Sequence, residues 1–195
     1  MDSVHLTGVA LAALLSENFV LVNCVGIGAH TATFTSPREA RRTGGCVMMV
    51  MLLTVLFTWL VDTYIMEHLL CEHFRLLIFT LISLGCVAGL RLFFRLFVPA
   101  MSQRVDATLA SLSTNGSALA AALMVSSRGY ELGQALTFAF FAGLGVLLVL
   151  LSFSGLRDSV RYDLCPAPFR GIPIKLITAA LMALSLVGFY GLHIG

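Results

Sequence analysis

The chain alternates between long apolar stretches and short polar connections, and this pattern occurs six times over 195 residues. Each stretch holds about 20 residues or more, and a helix of that length crosses the roughly 30 Å hydrocarbon core of a bilayer because each residue adds about 1.5 Å. The pattern predicts an all-α integral membrane protein with a single transmembrane domain, residues 1–195. The predicted spans are 4–27, 44–66, 74–98, 105–125, 131–154 and 172–193.

Two of these spans are interrupted by polar residues and glycine. The fourth contains "LSTNGSALAAAL", where Thr114 and Asn115 precede Gly116, and the first contains "SENFVLVNCVGIGAH", which passes Cys24 and reaches Gly28. Irregular backbone within lipid is tolerated only where it is buried in protein or lines a cavity. Broken helices in both halves of a chain indicate a site near the membrane midplane. We therefore expect two inverted three-helix halves, each opening with a broken helix.

The glycines in these spans have an alternative interpretation. Small residues are common in membrane helices because they let two helices approach closely. Gly26, Gly28, Gly116, Gly143 and Gly145 are all candidates for such packing positions. The polar residues next to Gly116 favour a true interruption at that point.

Composition and charge placement define the environment of the chain. Hydrophobic residues make up 58% of it, charged residues 11%, and the mean hydropathy is +0.95, whereas a soluble domain carries about 25% charged residues. Ten of the 12 basic residues fall in the connections after spans one, three and five or in the ends of the spans that adjoin them. Basic residues mark the cytoplasmic side, so both termini are expected on the periplasmic side. The net charge of +2 therefore reflects topology, and no nucleic-acid partner is predicted.

Glu17 is the candidate ionisable residue within the membrane. Helical spacing places it on one face with Cys24 and Gly28, and an ionisable side chain inside a span faces the bundle interior or a cavity. It is either part of an ion or proton route or a neutral or paired carboxyl bonded to the interrupted backbone. Asp62, near the outer end of span two, is interpreted as an ordinary interfacial carboxylate.

The remaining metal-capable residues match no standard site. The outward loop Glu67–His73 holds Glu and His close to Cys71, but in none of the usual zinc spacings. The five cysteines include no CxxC pair, and four lie in or beside the spans or on the cytoplasmic side. A disulfide framework is therefore not expected.

Four segments resemble the Rnf/Nqr family of membrane subunits. "ENFVLVNCVGIGAH" is similar to the first-helix motif of that family, "TWLVDTYI" to its second helix and "STNGSALAAAL" to its fourth-helix motif. "PAPFRGIPIKLITAALMALSLVGFYGL" resembles its closing segment almost residue for residue. The length and the outward termini resemble those of the A-type member of the Rnf complex and of its E-type counterpart in the Nqr complex.

The resemblance implies a membrane subunit that is not catalytic alone. Such a subunit works in the bacterial inner membrane, inside an NADH- or ferredoxin-linked, ion-translocating oxidoreductase, beside a homologous partner of inverted topology. Each of the two contributes one cysteine from each broken helix to a shared [2Fe–2S] cluster. Alignment places these cysteines at Gly28 and Gly116, where glycine offers no ligand, with Thr114 and Asn115 beside the second position. Cys24, one helical turn from Gly28, is the candidate substitute ligand.

Three functions follow from these observations. The first is a membrane subunit of an Rnf/Nqr-type complex whose electron-relay role is altered or lost. The second is a small ion or solute transporter with a midplane site between the two breaks. The third is a structural paralogue without a site.

Overall fold

The computed structural model of the protein describes Gly8, Ala10, Ala13, residues 37–66, 74–97 and 116–159, Pro166, and residues 172–187. This part of the chain is helical and contains no strand. Its α-helices are α1 (Pro37–Val61), α2 (Arg75–Phe97), α3 (Ser117–Arg128), α4 (Leu132–Ser159) and α5 (Ile172–Val187), and a π-helical turn, Asp62–Met66, follows α1.

Three of the described helical segments are long and apolar enough to cross a membrane. They are Pro37–Tyr64, Arg75–Phe97 and Leu132–Gly155. They correspond to the second, third and fifth predicted spans, so the all-helical membrane class is confirmed. The first span falls almost entirely outside the described residues, and the fourth and sixth are described only in part. The six-span count and the inverted halves therefore stay predictions.

The first described helix begins earlier than the hydropathy pattern predicts. α1 starts at Pro37 rather than Gly44, so Arg38 and Arg41 lie in its first turns and not in a connecting loop. Proline suits the first helical position because the N–H that it lacks would have no intrahelical acceptor there. The arginines are exposed, and long basic side chains keep their charge in water while the helix continues below them. The helix therefore extends past the apolar span into the interfacial region.

The core of the described bundle lies where α1 crosses α4, the most extensive helix contact. Two glycines permit this approach. A Cβ on Gly143 would lie 2.9 Å from the Met48 Cα, and a Cβ on Gly44 would lie 3.0 Å from the Leu147 Cα. Small residues bring the two backbones into direct contact, which is how membrane helices gain dispersion energy without a hydrophobic driving force between them.

A tight turn at Gly129 reverses the chain between α3 and α4. Gly129 has φ 61° and ψ 37°, which is left-handed backbone. Its N–H donates to the Ser126 carbonyl at 3.2 Å, and the Tyr130 N–H donates to the Val125 carbonyl at 3.3 Å. These paired bonds are the Schellman end of a helix, for which glycine is the favoured residue because it has no Cβ to clash.

Replacing Gly129 should therefore destabilise the protein through backbone strain alone. Nothing lies within 4 Å of a Cβ built at this position, so Gly129→Ala should lower the free energy of unfolding by about 1 kcal/mol. Gly129→Asn should cost less, because asparagine enters the left-handed region more readily than alanine. Thermal unfolding of the purified full chain tests this. An alanine variant as stable as the native protein would contradict the assignment of the turn.

Candidate functional site

The candidate site lies at the start of α3, at the interruption predicted within the fourth span. The helix begins at Ser117, and Gly116 precedes it with φ −70° and ψ 1° and without a side-chain hydrogen bond to the helix end. The Gly116 carbonyl accepts the Ala120 N–H at 2.8 Å. With 12 residues, α3 is about 18 Å long. It therefore covers only part of a hydrocarbon core about 30 Å thick.

The start of α3 presents backbone donors rather than side-chain ligands. The first N–H groups of a helix lack intrahelical acceptors, and the helix dipole makes this end positive. Ser117 and Ala118 are buried, whereas Gly116 is exposed. This arrangement can stabilise negative charge, but Gly116 has no side-chain atom that ligates a metal.

The other predicted site residues lie outside the described part of the chain. This applies to Thr114 and Asn115 beside Gly116, and to Glu17, Cys24 and Gly28 in the first span. The outward loop Glu67–His73 is likewise outside it. Among the residues that the structure describes, no three His, Cys, Asp or Glu side chains gather into a possible metal centre.

Two cysteines are described, and both are free thiols within helices. Cys46 is buried in the core cluster on α1. Cys86 lines an open apolar groove of about 650 Å³ between α1 and α2. The buried Thr54 hydroxyl on α1 has no hydrogen-bond partner of regular geometry. These thiols lie on α1 and α2, within the second and third predicted spans.

A polar cluster that the sequence analysis did not identify joins α1, α2 and α3. We name it the Asp62 cluster: Asp62, Arg75 and Ser126. An Arg75 guanidinium nitrogen lies 3.0 Å from one Asp62 carboxylate oxygen. The Ser126 hydroxyl donates to the other oxygen at 2.5 Å. Asp62 is thus more than an interfacial carboxylate, because one side chain ties the end of α1 to the start of α2 and the last turn of α3.

Aromatic and basic groups surround the turn beside the Asp62 cluster. The Trp59 indole N–H donates to the Tyr130 carbonyl at 2.9 Å. Arg128 donates to the Tyr130 hydroxyl at 3.0 Å, and its guanidinium lies 5.9 Å from the centre of the Phe138 ring. Trp and Tyr are typical of the membrane–water interface. The cluster therefore belongs to an interfacial layer at one end of the bundle.

Part of the Asp62 cluster had a detectable signal in the sequence. Asp62 ends one apolar span and Arg75 begins the next, so a helical hairpin brings opposite charges to the same membrane face. Ser126 could not be singled out from the sequence, because the neighbouring Ser127 has the same hydroxyl group and either could contact Asp62. Ser127 instead donates to the Met124 carbonyl of its own helix at 3.0 Å. The rotation of α3 decides which of the two serines reaches Asp62.

Comparison with known proteins assigns the family. Residues 6–193 match the model of a family described as "Rnf-Nqr subunit, membrane protein". This chain belongs to the Rnf-Nqr family. The match covers almost the whole sequence, including both spans in which interruptions are predicted, so the family resemblance stated from four segments is confirmed.

Named relatives of this Rnf-Nqr chain are similar over nearly their full length. Each is named as the A-type member of an "Ion-translocating oxidoreductase complex". The relative from Syntrophotalea carbinolica is 32% identical over 94% of this chain and 95% of its own length. Those from Shigella flexneri serotype 5b and Citrobacter koseri are each 32% identical over 93% of this chain and 94% of theirs.

Proposed function

We propose that this chain is a membrane subunit of an ion-translocating oxidoreductase complex in a bacterial inner membrane. The observation that carries the proposal is the end-to-end similarity to proteins named as the A-type member of such a complex. The subunit is not catalytic alone, and its partners include a homologous membrane subunit of inverted topology. Its own contribution is to form half of a shared intramembrane scaffold.

The proposed architecture has six spans in two inverted halves, with both termini periplasmic. The start of α3 at Ser117, within predicted span four, supports a broken helix at Gly116. A second break near Gly28 is its counterpart in the first half. The proposed site is surrounded by the interrupted backbone at Gly116 and Gly28, together with Thr114 and Asn115. The placement of ten of the 12 basic residues in or next to alternate connections supports the orientation.

The residues present do not fit a [2Fe–2S] cluster held in the usual way by four cysteines. Iron–sulfur clusters take thiolate ligands, and glycine occupies the family ligand position at Gly116. The described thiols, Cys46 and Cys86, lie on α1 and α2. We assign no electron-transfer step to a cluster at this position. Cys24 remains the one candidate substitute thiol, and Glu17 the candidate residue of an ion path.

Purification of a tagged version of the full chain from its native membrane tests the proposed function. We expect it to retain a homologous membrane subunit together with other subunits of the oxidoreductase. A chain that is stable and solitary in mild detergent would overturn the proposal. Measurable ion or solute uptake by proteoliposomes of the solitary chain would then establish the transporter alternative, whereas uptake equal to that of empty vesicles would leave a structural role.

A further inference from the structure

The packing face of α3 consists mainly of small side chains. Ala118, Ala121 and Ala122 are buried on it, and α3 packs against α1, α2 and α4. Helices set their relative positions by fitting ridges of side chains into grooves. Alanine ridges are shallow, so this packing brings α3 close to its neighbours but resists sliding and rotation weakly.

A directional polar bond is present at the opposite end of α3 from the candidate site. The Ser126 hydroxyl bonds to the Asp62 carboxylate at 2.5 Å, a length typical of a charge-assisted hydrogen bond. Such a bond is more sensitive to geometry than apolar contact. It therefore constrains both the height and the rotation of α3 relative to α1.

The acceptor of this bond is itself held in place. Asp62 opens the π-helical turn after α1, its side chain is 17% exposed, and Arg75 at the start of α2 is paired with it at 3.0 Å. Removing one partner of a partly buried charge pair leaves the other poorly compensated. The Asp62 oxygen that faces Arg75 is within ion-pair distance but has no hydrogen bond of regular geometry, so charge attraction holds the carboxylate that accepts from Ser126.

A second bond from α1 holds the backbone just after α3. Trp59, three residues before Asp62, donates to the Tyr130 carbonyl at 2.9 Å. Asp62, directly after α1, thus contacts the last turn of α3, and Trp59, near the end of α1, contacts the turn that follows α3. Two attachment points, at Ser126 and Tyr130, fix the orientation of this end of α3 better than either one alone.

We propose that Asp62 is a positioning residue for the candidate site, acting through Ser126 to hold α3 in register. Ser117 and Ser126 are nine residues apart on one continuous helix, about 14 Å along its axis. A regular helix of this length moves nearly as a rigid rod, so a shift at Ser126 is transmitted to Gly116 and Ser117. The inference rests on the proposed function only in treating the start of α3 as the site.

The reactivity of a thiol at position 117 reports the register of α3. The five native cysteines are replaced by alanine, Ser117→Cys is introduced, and the full chain is kept in its membrane complex. N-ethylmaleimide alkylation is followed by mass spectrometry of this subunit. Alkylation requires a solvated thiolate, and Ser117 is buried, so the starting rate should be slow. We expect Ser126→Ala to raise the rate about tenfold, because the freed helix opens locally more often.

Matched variants distinguish a specific role of Ser126 in positioning α3 from a general loss of packing throughout the protein. Ser127→Ala should leave the rate unchanged, because the Ser127 hydroxyl bonds only within α3 in the described contacts. Ser126→Thr keeps the hydroxyl and should restore a slow rate. A second reporter, Ser154→Cys on α4, replaces a serine that is buried like Ser117 and should be unaffected by Ser126→Ala. No change at position 117, or equal acceleration at both reporters, would overturn the proposal. Alkylation needs no electron-transfer assay, so it is independent of the test by co-purification.

Discussion

Gly143→Ala is expected to lower the free energy of unfolding by about 2–3 kcal/mol, the upper part of the range for overpacked cores. The added Cβ would lie 2.9 Å from the Met48 Cα and Cγ. Since the Cα is backbone, a change of rotamer does not relieve the contact, and α1 and α4 must separate. Gly44→Ala should act similarly through the Leu147 Cα at 3.0 Å. Thermal unfolding of the purified protein in mild detergent measures the loss.

Gly155→Ala provides the matched control on the same helix. Nothing lies within 4 Å of a Cβ built at Gly155, and alanine is favoured over glycine in a helix by about 1 kcal/mol. This variant should be as stable as the native protein or slightly more stable. If Gly143→Ala and Gly155→Ala had the same effect, the close crossing of α1 and α4 would be wrong.

Placing thiols at both proposed ligand positions is expected to give the largest chemical change. The double variant Gly28→Cys/Gly116→Cys, purified with its membrane partner, should gain about two irons and two acid-labile sulfides per heterodimer, as a [2Fe–2S] cluster requires. The native complex should lack them at this site, because glycine has no side-chain ligand atom. Iron and sulfide analysis, with EPR of the reduced protein, measures the gain.

A single variant and a serine double variant identify the origin of any iron in that experiment. Gly116→Cys alone supplies one of this chain's two ligands and should bind less iron than the double variant. Gly28→Ser/Gly116→Ser adds similar volume without thiols and should bind none at this site. About two irons per heterodimer in the native protein would instead show that Cys24 or another group completes the cluster. An unchanged iron content in the double variant would refute the assignment of both positions.

The membrane class and the α2 boundaries could be predicted because hydropathy is a local property. The predicted span 74–98 differs by one residue at each end from Arg75–Phe97. The same reasoning failed at the start of α1, where Pro37 opens the helix in a basic segment that hydropathy assigns to a loop. Helix formation there depends on backbone bonding and interfacial solvation, which do not require apolar residues.

The candidate site could be predicted in part. The polar run before Gly116 indicated an interruption, and the described helix begins at the next residue, Ser117. Its partner residues in the first span lie outside the described part of the chain, so the pairing of the two breaks stays a prediction. That Gly28 and Gly116 have no side-chain atom to bind a metal needed no tertiary structure, because glycine lacks a side chain in any fold.

The sequence by itself determined a helical membrane protein of the Rnf-Nqr family, since apolar length and motif similarity are both properties of the linear chain. Only the tertiary structure decided which faces meet. α4 has no distinct polar face, so its sequence pattern does not indicate which side of the helix packs against α1. The contact of Gly143 with Met48 is therefore decided by packing. The bond from Ser126 to Asp62 spans 64 residues and has a precise direction. It exists because the bundle sets the rotation of α3, which the sequence pattern leaves undetermined.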